Sequence, residues 1–250
     1  MRVAALYDIH GNLPALRAVM DEVARERVET VLIGGDVAAG PLPAETIDLL
    51  IALGERAQFV CGNADREIVA AYDRPDPGAQ AGPAERVAAF AASSISPGQR
   101  DFLARFADTV TLDIDGLGPT LFCHGSPRSD TEVITTATSD ERLRQILQGV
   151  EQRAVVCGHT HRQFDRVADC WRVINAGSVG MPYEGRAGAY WALLGPDVTL
   201  RRTDYDLDVG IAELRAGGFP DLDEMLNESL LNPIDPDEAA AFLERQAPAR

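Results

Sequence analysis

MRVAALYDIHGN, residues 1–12, runs a short apolar stretch into Asp8-Ile9-His10-Gly11. Two polar donors two residues apart point to the same side of an extended chain. They make a poor core and a good site. After them Leu13, Leu16, Met20 and Val23 fall on one helical stripe. The pattern then repeats. TVLIGGD (30–36) reads as a second strand, a helix carries Ile47, Leu50 and Ile51, and QFVCGN (58–63) reads as a third strand. Asp36 follows Asp8 by 28 residues and Asn63 follows Asp36 by 27. These are βαβ units, which predict a parallel sheet with right-handed crossovers. Asp8, Asp36 and Asn63 should therefore meet at the carboxyl edge of that sheet, where open α/β sheets place ligands.

Residues 66–108 break the alternation and read as a helical insert. A Pro/Gly-rich loop, RPDPGAQAGP (74–83), separates two helical pieces, the second opened by Ser96 as N-cap and Pro97 at the first helical position. TVTLDI (109–114) and PTLFCHG (119–125) flank an Asp115-Gly116 turn. AVVCGHT (154–160), FDRVA (164–168), WRVINA (171–176), AYWALLG (189–195) and VTLRRTDYD (198–206) follow with short connections, as in a second antiparallel or mixed sheet. Residues 207–250 return to helix as an acidic extension, whose last helix starts at Asp235-Pro236. The whole chain, 1–250, reads as a single domain of α/β class.

Composition narrows the function. Net charge is −16 and there is no lysine, which removes any phosphate-loop or Schiff-base lysine. From Asp204 onward twelve acids face three arginines. Such a surface repels long polyanions, so a nucleic-acid polymer is not expected as a stable partner. A small anion held by metal ions is allowed. No apolar run reaches the ~18 residues of a membrane span, and a strand from Arg2 leaves no room for a signal peptide. The four cysteines form no Cys-x-x-Cys pair, so neither a zinc ribbon nor a disulfide framework is expected, and a cytoplasmic home follows.

All four histidines, His10, His124, His159 and His161, end expected strands. With Asp8, Asp36 and Asn63 they make seven nitrogen and oxygen donors and no thiolate, a mixture suited to manganese, iron or zinc. Seven exceed one ion's needs, and two ions can share a carboxylate. In order, DIH (8–10), GGD (34–36), GNAD (62–65), CHG (123–125) and GHTH (158–161) resemble the five signature blocks of the calcineurin-like metallophosphoesterase superfamily. The branch most similar is that of the small bacterial phosphodiesterase-like proteins, whose first block reads D-x-H-G-N. The resemblance spans about residues 1–182, including NAGSVGMP (175–182).

The resemblance implies a four-layer αββα sandwich of two mixed sheets flanked by helices. It also implies two bound metal ions, one held by Asp8, His10 and His161, the other by Asn63, His124 and His159, with Asp36 bridging. Two such cations clamp a phosphate and acidify a bridging water, whose hydroxide attacks phosphorus in line without a protein nucleophile. The expected activity is phosphoric ester hydrolysis, with a phosphodiester or another small substrate with a good leaving group ahead of a monoester. Protein-phosphatase or dinucleoside-polyphosphate hydrolysis is the alternative chemistry, and a catalytically weak scaffold or partner-binding protein the alternative class.

One departure stands out. Many relatives continue the third block with a histidine that protonates the leaving group, whereas position 64 here is alanine. An absent general acid costs ~10²–10⁴ in rate for a poor leaving group. Beside the blocks, Arg66, Arg128, Arg162 and Arg186 are candidates for phosphate oxygens, and a salt-bridged surface role is the competing reading of each. Asn12 is read as bracing the first loop or touching substrate, Asp65 as orienting its neighbours, and Ser178 as a turn residue.

Overall fold

A computed structural model describes residues 1–75 and 81–246. Residues 76–80 of the Pro/Gly-rich loop and 247–250 of the C-terminal extension lie outside the described residues. Strands β1 (Val3–Leu6), β2 (Thr30–Ile33) and β3 (Ala57–Phe59) are parallel neighbours, crossed over by α1 (Leu13–Val23) and α2 (Pro43–Ile51). The expected βαβ beginning is present. The insert begins with α3 (Asn63–Asp73), continues through α4 (Pro83–Ser94) and ends with α5 (Pro97–Leu103). It therefore holds three helices where the spacing suggested two. Ser96 does cap a helix, accepting from the Gln99 amide, but that helix is the third.

Strands β4 (Thr109–Ile114) and β5 (Gly118–Cys123) form the expected hairpin. A short helix unmarked in the sequence reading, α6 (Asp140–Ile146), precedes β6 (Ala154–Cys157), β7 (Phe164–Ala168) and β8 (Trp171–Asn175). These strands make the second sheet in the order β4-β5-β6-β8-β7, with β5, β6 and β8 parallel. The next two strands depart from expectation. β9 (Ala189–Leu194) and β10 (Val198–Thr203) leave the second sheet and complete the first, in the order β10-β9-β1-β2-β3. β9 lies antiparallel to β1, with Val3 opposite Leu194 and Ala5 opposite Ala192. Alternation identifies a strand but not which sheet edge accepts it.

Strand β1 shows why the two sheets stack. Ala4 and Leu6 join a cluster with Leu16, Val19, Ile47 and Leu50 of α1 and α2. Val3, Ala5 and Tyr7 join the opposite cluster with Phe122, Val156 and Ile174 of the second sheet. Beyond that sheet, Leu121, Val155 and Val173 pack on Leu143 and Ile146 of α6. Period-two alternation with both faces apolar thus builds helices, sheet, sheet and helix in four layers. Ile51, expected on the buried stripe of α2, is exposed, while Ile47 and Leu50 are fully buried.

The C-terminal helices α7 (Leu207–Ala216), α8 (Leu222–Leu226) and α9 (Pro236–Gln246) are where the sequence put them. A π-helical turn, Asn227–Leu231, follows α8. They are more than a solvated cover. Leu214, Phe219, Leu222, Met225 and Leu226 pack with Leu13 and Leu42 at the start of α1 and α2. Among the described residues no helix is long and apolar enough to cross a membrane.

Candidate metal centre

The seven donors arrive on short loops at the carboxyl edges of both sheets. Asp8 and His10 follow β1, Asp36 follows β2, and Asn63 opens α3 just after β3. His124 follows β5, and His159 and His161 follow β6. Backbone bonds stitch the loops together: the Asp8 and His10 amides donate to the Gly35 and Asp36 carbonyls at 3.1 and 2.9 Å, and the His159 amide donates to Asp8 Oδ2 at 2.9 Å. Asp8, His10, Asp36, His159 and His161 all adopt positive φ, between 48° and 66°. Among the described residues the only other non-glycine with positive φ is Asp169. That region costs an L-residue ~1–2 kcal/mol, and Asp and His are among the residues that tolerate it. The surrounding loops hold this strain at the site.

The glycines of the motifs have a steric reason. A Cβ at Gly62 would lie 2.2 Å from Asp36 Oδ1, and one at Gly35, whose φ is +98°, would lie 2.5 Å from the Gly62 nitrogen. The second and third blocks therefore pack backbone against carboxylate.

Two donor groups emerge, Asp8 with His10 and His161, and Asp36 with His124 and His159, the ligand atoms of each lying within 4.8 Å of one another. Nδ1 of His10, His124 and His161 donates to the carbonyls of Ala39, Gly34 and Met181 at 3.1, 2.8 and 2.8 Å. A carbonyl can only accept, so the Nε2 of each neutral ring is left with a lone pair turned inward; His124 Nε2, 3.4 Å from Asp36 Oδ2, holds a proton there that a metal ion would displace. His10 Nε2 and His161 Nε2 face each other at 3.1 Å, two acceptors that need a cation between them. His124 Nε2, Asp8 Oδ1 and Asn63 Oδ1 are buried with no hydrogen-bond partner. Such atoms are costly unless something positive reaches them. The donor set thus fits metal ions.

The electrostatics agree. Burial alone would lower His124, but Asp36 and then Asp8 drive it up to about 10. Burial works to raise Asp8 and Asp36, yet His161 holds Asp8 below the usual carboxylate range and His124 does so for Asp36. Burial, with His124 nearby, pushes His159 down to about 4, and burial with His161 lowers His10.

The remaining sequence candidates have defined places. Asp65 is fully buried and accepts from the amides of Asp36, Val37 and Gly62 at 2.8, 2.9 and 3.0 Å. Asn12 caps α1 through Ala15 and donates to the Gly180 carbonyl, bracing the first loop. Ser178 donates to the Asp8 carbonyl and accepts from Met181. Arg66 is paired with Asp130, Arg128 with Glu132, and Arg162 with Asp237 and the Pro236 carbonyl. Arg186 contributes its carbonyl to the Tyr190 hydroxyl. Glu67, one turn along α3, escaped the sequence reading. Burial and then Asp36 raise its carboxyl above the usual range, with the Asn63 side chain beside it acting the other way. An i, i+4 pairing with Asn63 was the signal available for it.

A family model described as the calcineurin-like phosphoesterase superfamily domain matches residues 1–195. The chain belongs to that superfamily. A hypothetical protein of Pyrococcus horikoshii OT3 superposes with a TM-score of 0.77 at 20% identity, over 91% of this chain and 96% of that one. A metallophosphoesterase of Sphaerobacter thermophilus gives 0.70 at 22% identity, over 90% and 98%. Both superpositions extend the shared phosphoesterase fold beyond the matched 195 residues. Among proteins of curated function none matches the chain.

Proposed function

We propose that this calcineurin-like phosphoesterase uses two metal ions to hydrolyse a phosphodiester, or another phosphate ester with a good leaving group. The observation that carries the reading is the set of inward-facing lone pairs, above all His10 Nε2 against His161 Nε2 at 3.1 Å and the unpartnered Asp8 Oδ1, Asn63 Oδ1 and His124 Nε2. Asp8, His10 and His161 would hold one ion, Asn63, His124 and His159 the other, and Asp36 both. When bound, such ions supply phosphate clamping and an activated water. The chain supplies orientation: three backbone carbonyls fix the histidine tautomers, and Asp65 draws the Asp36 and Gly62 amides together. Manganese, iron and zinc all suit these donors.

No imidazole stands at position 64 to protonate a departing oxygen, so leaving-group acidity should govern the rate. This alanine also favours the second reading, a metal-binding scaffold with little turnover. Reconstitution with each metal, followed by assay on nitrophenyl mono- and diesters, a cyclic nucleotide and a dinucleoside polyphosphate, separates the two. Metal uptake near two equivalents with ester turnover supports the enzyme. Full uptake with no turnover on any ester supports the scaffold.

A further inference from the structure

The site opens into a cavity of about 290 Å³ whose floor is His10, Asp36 and Asn63. Its walls come from the insert and from the C-terminal helices, with Val87 of α4 facing Phe219 and Met225. The volume lies at the small end of the ~300–1,000 Å³ common for ligand pockets, room for an organic group of a few carbons.

The charge of the rim is one-sided. Glu67, Asp221, Glu224 and Glu228 line the cavity, and no arginine does so among the described residues. Arg86 approaches Asp221 at 3.5 Å, while Glu224 and Glu228 form no ion pair among the described residues. A phosphoesterase whose organic pocket lacks a basic side chain has nothing to receive a second phosphate or a carboxylate. Carboxylates above an apolar wall with an aromatic ring instead match an alkylammonium group, whose methyls pack on Phe219 and Met225. The reacting phosphate would be drawn to the metal ions that the floor donors would hold, which lie apart from the rim.

We infer that this cavity selects phosphodiesters in which one ester group is a small cationic alcohol, of the alkylammonium-ethyl type, over anionic or polyphosphorylated ones. The inference rests on the phosphoesterase reading for the phosphate itself and adds the identity of the group beside it. Glu224 and Glu228 are exposed, so solvent screens them and a moderate preference is expected.

The test uses binding, measured by titration calorimetry on the metal-loaded protein. Three methyl phosphodiesters are compared, in which the second group is 2-(trimethylammonio)ethyl, its uncharged isostere 3,3-dimethylbutyl, or 3-carboxypropyl. Methyl is too small to compete for the cavity. The cationic ester should bind about tenfold more tightly than the neutral one, ~1.4 kcal/mol, and the anionic ester weakest. In Glu224→Gln/Glu228→Gln the spread between cationic and anionic esters should shrink by about tenfold. A flat or reversed order, no measurable binding of any ester, or an undiminished spread in the double variant overturns the inference. Nitrophenyl ester turnover is followed in parallel. Turnover with a flat binding order removes this inference alone, whereas the expected order without turnover removes the phosphoesterase reading and leaves the cavity's charge preference standing.

Discussion

Beneath and at the floor of the cavity, five donors sit at positive φ on strand-end loops, two of them (His10 and Asp36) lining it, and glycines bring backbone within contact of their carboxylates. On its cover, α4 presents Val87, α8 presents Glu224 and Met225, and the π-helical turn after α8 presents Glu228. The floor is over-determined. Its amides, carbonyls and carboxylates bind one another in a closed set, so any change there propagates. The cover is held by apolar packing through Phe219, Leu222, Met225 and Leu226, and its exposed carboxylates at the cavity, Glu224 and Glu228, take no part in that packing. Chemistry that must be placed to a fraction of an ångström is built on the floor, and discrimination between substrates is left to the part that can vary cheaply.

The contrast predicts a gradient of effects. Asp36→Asn should be most severe, because on the proposed two-ion reading Asp36 would serve both ions, and it also accepts from the Ala64 amide. A drop of ~10³-fold or more in kcat/KM with weakened uptake at both metal sites is expected, read by steady-state assay and elemental analysis. Retention of two tightly bound ions would break the bridging assignment.

Protonation should act next. His124 is raised from 6.5 to about 10, so in the metal-free protein its proton contributes stability fully below pH 6.5, a contribution lost as pH rises through about 10. A metal ion must displace that proton, while His159, lowered to about 4, has none to lose at neutral pH. Affinity at the Asp36 group should rise roughly tenfold per pH unit between pH 7 and 9, about a hundredfold in all. Calorimetry in buffers of different ionisation enthalpy should show close to one proton released per ion there. No release at pH 8 would contradict the His124–Asp36 pairing.

Glu67 lies where floor meets cover. Glu67→Ala removes the carboxylate beside the Asn63 side chain and should weaken an ion held at Asn63 by ~10–100-fold, as losses of an outer-shell support do, while sparing one held at Asp8. Equal loss at both sites would show that Glu67 acts through packing instead. Smallest is Ala64→His. Alanine 64 is on the cavity wall beside Asn63, and an imidazole there should recover about tenfold toward alkyl esters of the ~10²–10⁴ range of general acid catalysis. Aryl esters should gain little. The ratio of alkyl to aryl kcat/KM at matched metal content measures it, and an unchanged ratio would mean that position 64 does not face the leaving group.

The same divide separates what could be read in the sequence. Asp8, Asp36 and Asn63 recur at near-equal spacing because each ends one βαβ strand, so periodicity alone brought them to one edge. The histidines were legible because all four follow strands. What stayed hidden depended on partners remote in sequence. β9 alternates like its neighbours, and only its apolar match to both faces of β1 takes it back to the first sheet. The pairing of Arg162 with Asp237 and of Arg66 with Asp130 required knowing which loops meet. The role of the acidic extension in walling the cavity was invisible for the same reason, since charge marks a surface without saying what it overlooks.

The return of β9 and β10 also sets an order of events during synthesis. β1 precedes one of its two neighbours, β9, by more than 180 residues, since β9 begins at Ala189. At ~5–20 residues per second the nascent chain waits about 10–40 seconds for that partner. Until then β1 presents an unpaired edge, a hazard that such edges carry in any sheet, and His159 and His161 have yet to appear for most of that interval. An early Asp8-His10 loop alone is too sparse a ligand set to capture an ion. On the proposed metal-binding reading, uptake would wait until His161 has been made, and β9 arrives only after that residue.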